Sequence, residues 1–197
     1  MPKPYVPNDK WSQRAAAEGF RARSVYKLQE LDERYGILRE GMNVLDLGAA
    51  PGSWLQYTSK EVGPKGKVIG MDITPILPVA ENVHLYQQDI TDFSAIEKIL
   101  SELGLASVDV VLSDIAPNTS GVKDVDQWRS VELSRAVMAV ADRFLHTGGR
   151  IVMKVFRGAD FDPFLLQVRA AYGDVKVKQV LASRDRSREV YIVGKKL

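Results

Sequence analysis

The chain of 197 residues contains no cysteine and only two histidines, His84 and His146, far apart in sequence. Without cysteine there is no disulfide framework and no thiolate metal site. Two separated histidines argue against a zinc or iron centre and against a histidine-based nucleophilic triad, so no metal is expected. Both read as surface or core-edge residues. No apolar run is long enough to span a bilayer. The N-terminal MPKPYVPNDKW lacks the hydrophobic stretch of a secretory signal. These absences leave a cytoplasmic protein with no membrane partner as the simplest reading. Internal repeats, low-complexity segments and linkers are missing too, so residues 1–197 read as one domain.

Hydrophobic residues make up 45% of the chain, enough for a full core. The net charge of +2 hides an uneven distribution. Residues 1–39 carry eight Lys/Arg against five Asp/Glu, and residues 176–197 carry seven against two, so the middle is acidic. Two basic ends around an acidic centre fit a polyanionic partner, although charged termini are also commonly just solvated.

Short β-branched runs alternate with helical patterns. Strands are expected at 43–47, 67–72, 83–86, 108–113 and 150–156, with helices at 53–61, 93–103 and 127–146. In the last of these helices Val131, Val137, Met138, Ala141, Phe144 and Leu145 recur at helical spacing, and Gly148-Gly149 reads as its stop. Such alternation predicts an α/β fold with a parallel sheet and helices on both faces. After a helix at 161–172, strands at 175–180 and 189–193 are separated by only Ser183 to Arg188. No helix fits there, so the last strand should run antiparallel. The expectation is a seven-stranded, mostly parallel sheet with one reversed final strand. Ahead of the sheet, Ser24 to Tyr35 reads as a helix capped by Ser24 and closed by Gly36, with Lys27 at the border of its apolar face.

Ligands bind outside the carboxyl ends of the strands in such sheets. Asp46-Leu47-Gly48-Ala49-Ala50-Pro51-Gly52 is one such end, and Gly48 and Gly52 let a ligand approach the backbone. The loop is not G-x-G-x-x-G, and no Gly-Lys-Ser/Thr occurs. A dinucleotide site loses support and a phosphate-cradling P-loop is excluded. Asp72, 24 positions after Gly48, ends the second strand and suits ribose hydroxyls. Asp89 follows the third strand and could accept from an adenine amino group. Acids after strands also cap helices. As a set, with the bare loop, they suit a cationic, adenosine-containing ligand.

Lys154 interrupts the apolar run Ile151-Val152-Met153-Lys154-Val155-Phe156. A lysine in a buried strand costs several kcal/mol unless it is paired or neutralised, or snorkels to the strand end. Asp114 ends the fourth strand, Lys154 lies near the end of the fifth, and Glu189 opens an antiparallel seventh. Topology therefore brings all three to the ligand edge.

The motifs D-L-G-A-A-P-G-x-W, S-D-I-A-P-N-x-S-G, V-M-K-V-F and S-R-E-V-Y-I-V occur in this order between about Arg21 and Val193. Together they resemble the FtsJ family of S-adenosylmethionine-dependent ribose 2′-O-methyltransferases of RNA, most of all its members that act on a uridine of 23S rRNA. Ser53 departs from the glycine frequent in bacterial members. The resemblance implies a Rossmann-like methyltransferase fold and S-adenosylmethionine as cofactor. Gly52, Trp54, Asp72, Asp89 and Asp114 would line its pocket, beside the loop residues Asp46, Gly48 and Pro51. Trp54 could equally be a core aromatic. The resemblance also adds Lys27 to a Lys27, Asp114, Lys154, Glu189 catalytic tetrad. A lysine base must be neutral near pH 7, which asks for a pKa ~3 units below 10.4. Burial and a second ammonium push that way, so Lys154 is assigned as base and the two acids as orienting groups.

Arg14, Arg21 and Arg23 in a basic N-terminal arm (1–23), with Arg184, Arg186 and Arg188 beside Glu189, are the expected RNA contacts, supplemented by Lys123 and Arg157. The expected partner is rRNA within the large ribosomal subunit. Alternatives are a tRNA or mRNA-cap methyltransferase and a non-catalytic RNA-binding assembly factor. A nicotinamide-dependent oxidoreductase is disfavoured by the loop. No heptad or long apolar edge suggests a dimer, so a monomer is expected.

Overall fold

A computed structural model of the chain describes residues 9–183 and 187–197. Seven strands form one sheet in the order β3-β2-β1-β4-β5-β7-β6. They are β1 (Asn43–Leu47), β2 (Lys67–Asp72), β3 (Val83–Gln87), β4 (Val108–Ser113), β5 (Leu145–Phe156), β6 (Tyr172–Lys178) and β7 (Glu189–Lys196). Neighbours from β3 to β5 pair in parallel, whereas β7 runs antiparallel to both β5 and β6. The reversal follows from the short connection before Glu189, which leaves room for a turn but not for a crossover helix.

Residue alternation sends each strand's side chains into two cores. Leu45, Leu47, Ile69, Met71, Val111 and Met153 pack under α4 (Phe93–Glu102), α5 (Lys123–Phe144) and α6 (Phe161–Ala171). Val44, Val68, Val110, Leu112 and Val152 pack under α2 (Val25–Tyr35) and α3 (Ser53–Val62). Most of these side chains are fully buried. Each contributes ~1.5–3 kcal/mol over its exposed state, enough to hold the strand ends rigid. Asp46, Asp114 and Lys154 share the second parity, so they face the α2/α3 side.

Four local features differ from the sequence reading. Helix α1 (Lys10–Ala17) lies inside the expected N-terminal arm. Asp9 caps it by accepting from Ser12 N at 3.0 Å, and Ala15 buries against Val25, Tyr26 and Ala182. Ser24 does not cap α2: its hydroxyl instead meets Ser53 Oγ at 2.8 Å, while Gly36 closes the helix with φ 58° as expected. Helix α5 starts at Lys123 and ends at Phe144, ahead of the paired glycines. Leu145, counted with the helical stripe, already pairs with Val108 in β5, and the chain bulges before Arg150 pairs with Val110. Strand β6 spans 172–178 rather than 175–180. No helix among the described residues is long and apolar enough to cross a membrane.

Candidate active site

The loops after β1, β2, β3 and β4 and residues 128–136 of α5 enclose a cleft of about 920 Å³. Its floor is the loop after β1. Gly48 N and Ala49 N both donate to Met71 O, at 2.8 and 3.1 Å, which folds the loop back over β2. Gly48 lines the cleft with φ +72°, and a Cβ there would meet Ile115 Cβ at 2.8 Å. Glycine is therefore required twice over, by conformation and by space.

Asp72 and Asp89 both line the cleft. Each also holds backbone. Asp72 accepts from Ala50 N at 3.0 Å and Thr74 N at 2.8 Å. Asp89 accepts from Thr91 N and Thr91 Oγ1, both at 2.8 Å, and these bonds hold its carboxyl below the usual range. The cap of α4 is Asp92, not Asp89. Asp46 differs from both. It is 1% exposed, and its Oδ2 has no hydrogen-bond partner among the described residues. Burial, reinforced by the charges of Asp114 and Asp72, pushes its carboxyl well above the ordinary carboxylate range. Asp46 lines a second cavity of about 30 Å³ together with Trp54, Ser53 and Ser24. That cavity shares Gly48, Ala50 and Asp114 with the large cleft, so the two are neighbours. Trp54 is a buried aromatic whose Nε1 donates to Ser24 O at 2.8 Å. Pro51 and Gly52 line neither cavity, and Gly52 is the N-cap of α3.

Lys27, Asp114, Lys154 and Glu189 come together. Lys154 is 5% exposed, so the amine does not snorkel into solvent. Its Nζ donates to Asp114 O at 2.5 Å and lies 3.0 Å from Asp114 Oδ1. Lys27, also buried, pairs with Glu189 Oε1 at 2.6 Å. Tyr191 joins the two pairs. Its hydroxyl donates to Asp114 Oδ1 at 2.5 Å and lies 3.4 Å from Glu189 Oε1, with Lys27 Nζ 5.7 Å above its ring. Register explains the meeting: Lys154 pairs with Tyr191 and Phe156 with Glu189 across β5 and β7. Burial pushes the Asp114 carboxyl up. The charges of Lys154 and Lys27 and the Tyr191 hydrogen bond outweigh it, so the group sits below its ordinary value and stays ionised. Burial raises the Tyr191 phenol well above its ordinary value, which keeps it a donor.

Residues 20–197 match the FtsJ-like methyltransferase family. The chain belongs to that family. It is 48% identical over 187 residues to the ribosomal RNA large subunit methyltransferase E of Azoarcus sp. (strain BH72), covering 95% of this chain and 91% of that one. The protein of the same name from Methanothrix thermoacetophila is 44% identical over 189 residues, covering 96% and 72%. Among solved structures, a putative ribosomal RNA methyltransferase from Plasmodium falciparum superposes with a TM-score of 0.80 at 28% identity, covering 90% of this chain and 98% of that one. A fibrillarin/Nop5p complex shares the fold, with a TM-score of 0.59 at 20% identity over 81% of this chain and 75% of that one.

In this FtsJ-like methyltransferase Arg14, Arg21 and Arg23 of the N-terminal segment are engaged within the protein. Arg21 donates to three carbonyls, Pro51 O at 3.0 Å, Leu77 O at 2.8 Å and Pro78 O at 2.6 Å. Arg23 pairs with Asp9 and donates to Ala182 O at 3.0 Å. Arg14 pairs with Glu18 at 2.7 Å and covers the Tyr26 ring. Arg188, Lys123 and Arg157 lie near the ends of β5 and β7, while Arg184 and Arg186 lie outside the described residues. Tyr191 escaped the sequence reading, which takes Arg21 only as an RNA contact. Tyr191 is two residues from Glu189 on one strand, so period-2 alternation alone would have placed it on the same face. Arg21 carries no sequence signal for carbonyl clamping, because its three acceptors come from distant loops.

Proposed function

We propose that the chain transfers a methyl group from S-adenosylmethionine to the 2′-hydroxyl of a ribose, in a uridine of 23S rRNA, with Lys154 as general base. The observation that carries this reading is the buried Lys154 amine, fastened to two oxygens of Asp114 at the border of the acidic cleft. Asp72, Asp89 and Asp114 around one cleft suit a cationic ligand, and in the neighbouring cavity the unpartnered oxygen of Asp46 can accept from a donor on it. Asp46 and Asp114 would hold the ligand's ammonium group, Asp72 its ribose hydroxyls and Asp89 its adenine amino group. When bound, the cofactor supplies a methyl group already activated by its sulfonium.

The remaining requirements are alignment and proton removal. A neutral lysine amine has two N–H groups and one lone pair. With the amine in that form, the two Asp114 oxygens would accept both N–H groups, leaving the lone pair to take the proton of the ribose hydroxyl. Tyr191 and Glu189 fix Asp114 and Lys27 in turn, so the amine keeps its direction. General-base assistance of this kind is worth ~10²–10⁴ in rate. The large-subunit methyltransferase relatives support rRNA as substrate. Unmodified large ribosomal subunits, free 23S rRNA and tRNA, offered in parallel with tritiated cofactor, test the reading. Label is expected in 23S rRNA, at a ribose oxygen by mass spectrometry. Label on a base, in tRNA alone, or nowhere refutes it.

A further inference from the structure

A third cavity, of about 220 Å³, opens at the end of β5 beside the first turns of α5 and the residues that precede β7. It shares no lining residue with the large cleft. Phe156 forms part of its wall and lies two positions beyond Lys154 on the same face of the same strand. That separation is ~7 Å at the usual rise. The cavity therefore lies near the reacting amine, and its Thr119 and Gln127 are next in sequence to Asn118 and Trp128 of the large cleft.

Its polar lining is nearly all donor. Lys123 and Arg188 supply two cations, and Thr119 and Ser187 supply hydroxyls. Helix α5, 22 residues long, starts here at Lys123; its N-cap Val122 makes no side-chain cap, and Asp124 and Asp126 lie in its first turn. Asp126 is the one acid. Its Oδ1 accepts from Ser120 N at 2.6 Å and Ser120 Oγ at 2.8 Å, and its Oδ2 from Gly121 N at 3.2 Å, so it ties the preceding loop. Gln127 gives an independent sign. It is 2% exposed, and its Oε1 accepts from Asp160 N at 3.4 Å. Gln127 lines the cavity, and its Nε2 is buried with no acceptor among the described residues. A buried donor without an acceptor costs free energy until a ligand provides one.

We propose that this cavity is a phosphodiester subsite, which grips the RNA backbone next to the target ribose and uses Gln127 as its buried donor. The inference rests on the RNA methyltransferase reading above. Its role is positioning: two cations and an amide N–H₂ hold the flanking phosphate so that the 2′-hydroxyl stands before Lys154. Phosphate contacts of this kind set register without reading sequence.

The test measures methyl transfer to unmodified large subunits as a function of subunit concentration and salt, for the parent protein, Gln127→Glu and Lys123→Ala. Gln127→Glu replaces the donor with a carboxylate and should raise KM for subunits at least about tenfold. The dissociation constant for S-adenosylmethionine, measured by calorimetry, should stay as in the parent. Lys123→Ala, at an exposed position, should leave the melting temperature unchanged. It should lower the slope of log KM against log salt by about 0.7–0.9, the change expected when one phosphate is no longer neutralised. If Gln127→Glu also lowers the melting temperature, the Lys123→Ala salt slope decides. Unchanged KM and slope in both variants overturn the subsite. A raised KM with the parent's salt slope in Lys123→Ala also overturns it, because the cavity would then take a base rather than a phosphate. A parent protein that methylates no rRNA overturns the reading beneath, recognisable because parent and variants are equally inactive.

Discussion

Tyr191→Phe removes one oxygen and leaves the ring, its burial and its contact with Trp54 in place. The 2.5 Å hydrogen bond from the phenol to Asp114 Oδ1 disappears. A hydrogen bond to a charged acceptor is worth ~1.5–3 kcal/mol. For a chain of this length each kcal/mol moves the melting temperature by ~2–4 °C, so the variant should melt ~3–12 °C lower. The effect depends on Asp114 being ionised. That carboxyl sits below its ordinary value of 3.8 in the folded protein, so its stabilisation is present above that pH and fades as pH falls through the folded value. The difference between parent and variant should hold steady from pH 5 to pH 8 and shrink only below about pH 4. Asp114, freed on one side, also no longer fixes the Lys154 amine, and turnover should drop about ten- to a hundredfold. Calorimetric melting across pH and a tritiated-methyl assay measure both effects, with cofactor affinity as a control. A variant that melts with the parent at pH 7 and turns over normally would refute the claim that Tyr191 holds the tetrad together.

Three further outcomes are expected. Lys154→Ala should abolish methyl transfer while calorimetry still records S-adenosylmethionine binding; near-normal turnover would remove the base assignment. Asp46→Asn should raise the melting temperature of the cofactor-free protein at neutral pH. The folded carboxyl is raised, so its ionised form opposes folding above the ordinary value of 3.8, and the gain should vanish below it. The same variant should bind the cofactor more weakly, and unchanged affinity would deny Asp46 a part in the pocket. Gly48→Ala should weaken cofactor binding by strain at φ +72° and by collision with Ile115. Adding Ile115→Ala should recover only part of the affinity, and full recovery would show that the backbone conformation does not matter.

The sheet was legible because its signals are local. Runs such as Val108-Asp109-Val110-Val111-Leu112 have one stable solution, a strand covered on both faces. The antiparallel last strand followed from the length of a single connection. Lys154 stood out because an ammonium among β-branched residues demands a partner. The structure supplies that partner, Asp114, across 40 positions of chain. Less legible were features whose cause is tertiary. Leu145 fits a helical stripe and a strand equally well, and only Val108 decides between them. Ser24 has a capping side chain, but Ser53 offers it a competing hydroxyl. A count of arginines shows net charge, not the carbonyls that Arg21 and Arg23 satisfy.

The Arg21 guanidinium bridges two loops, taking one carbonyl beside the first strand's glycines and two from residues 77–78 after the second strand. A bolt of this kind ties the segment after the amino-terminal helix to the loops that follow the first two strands. Ordering either end lowers the entropy that remains to be removed at the other. On the function proposed above, whatever factor a docked polynucleotide adds to cofactor affinity through this bolt, the cofactor must return to the polynucleotide in equal measure.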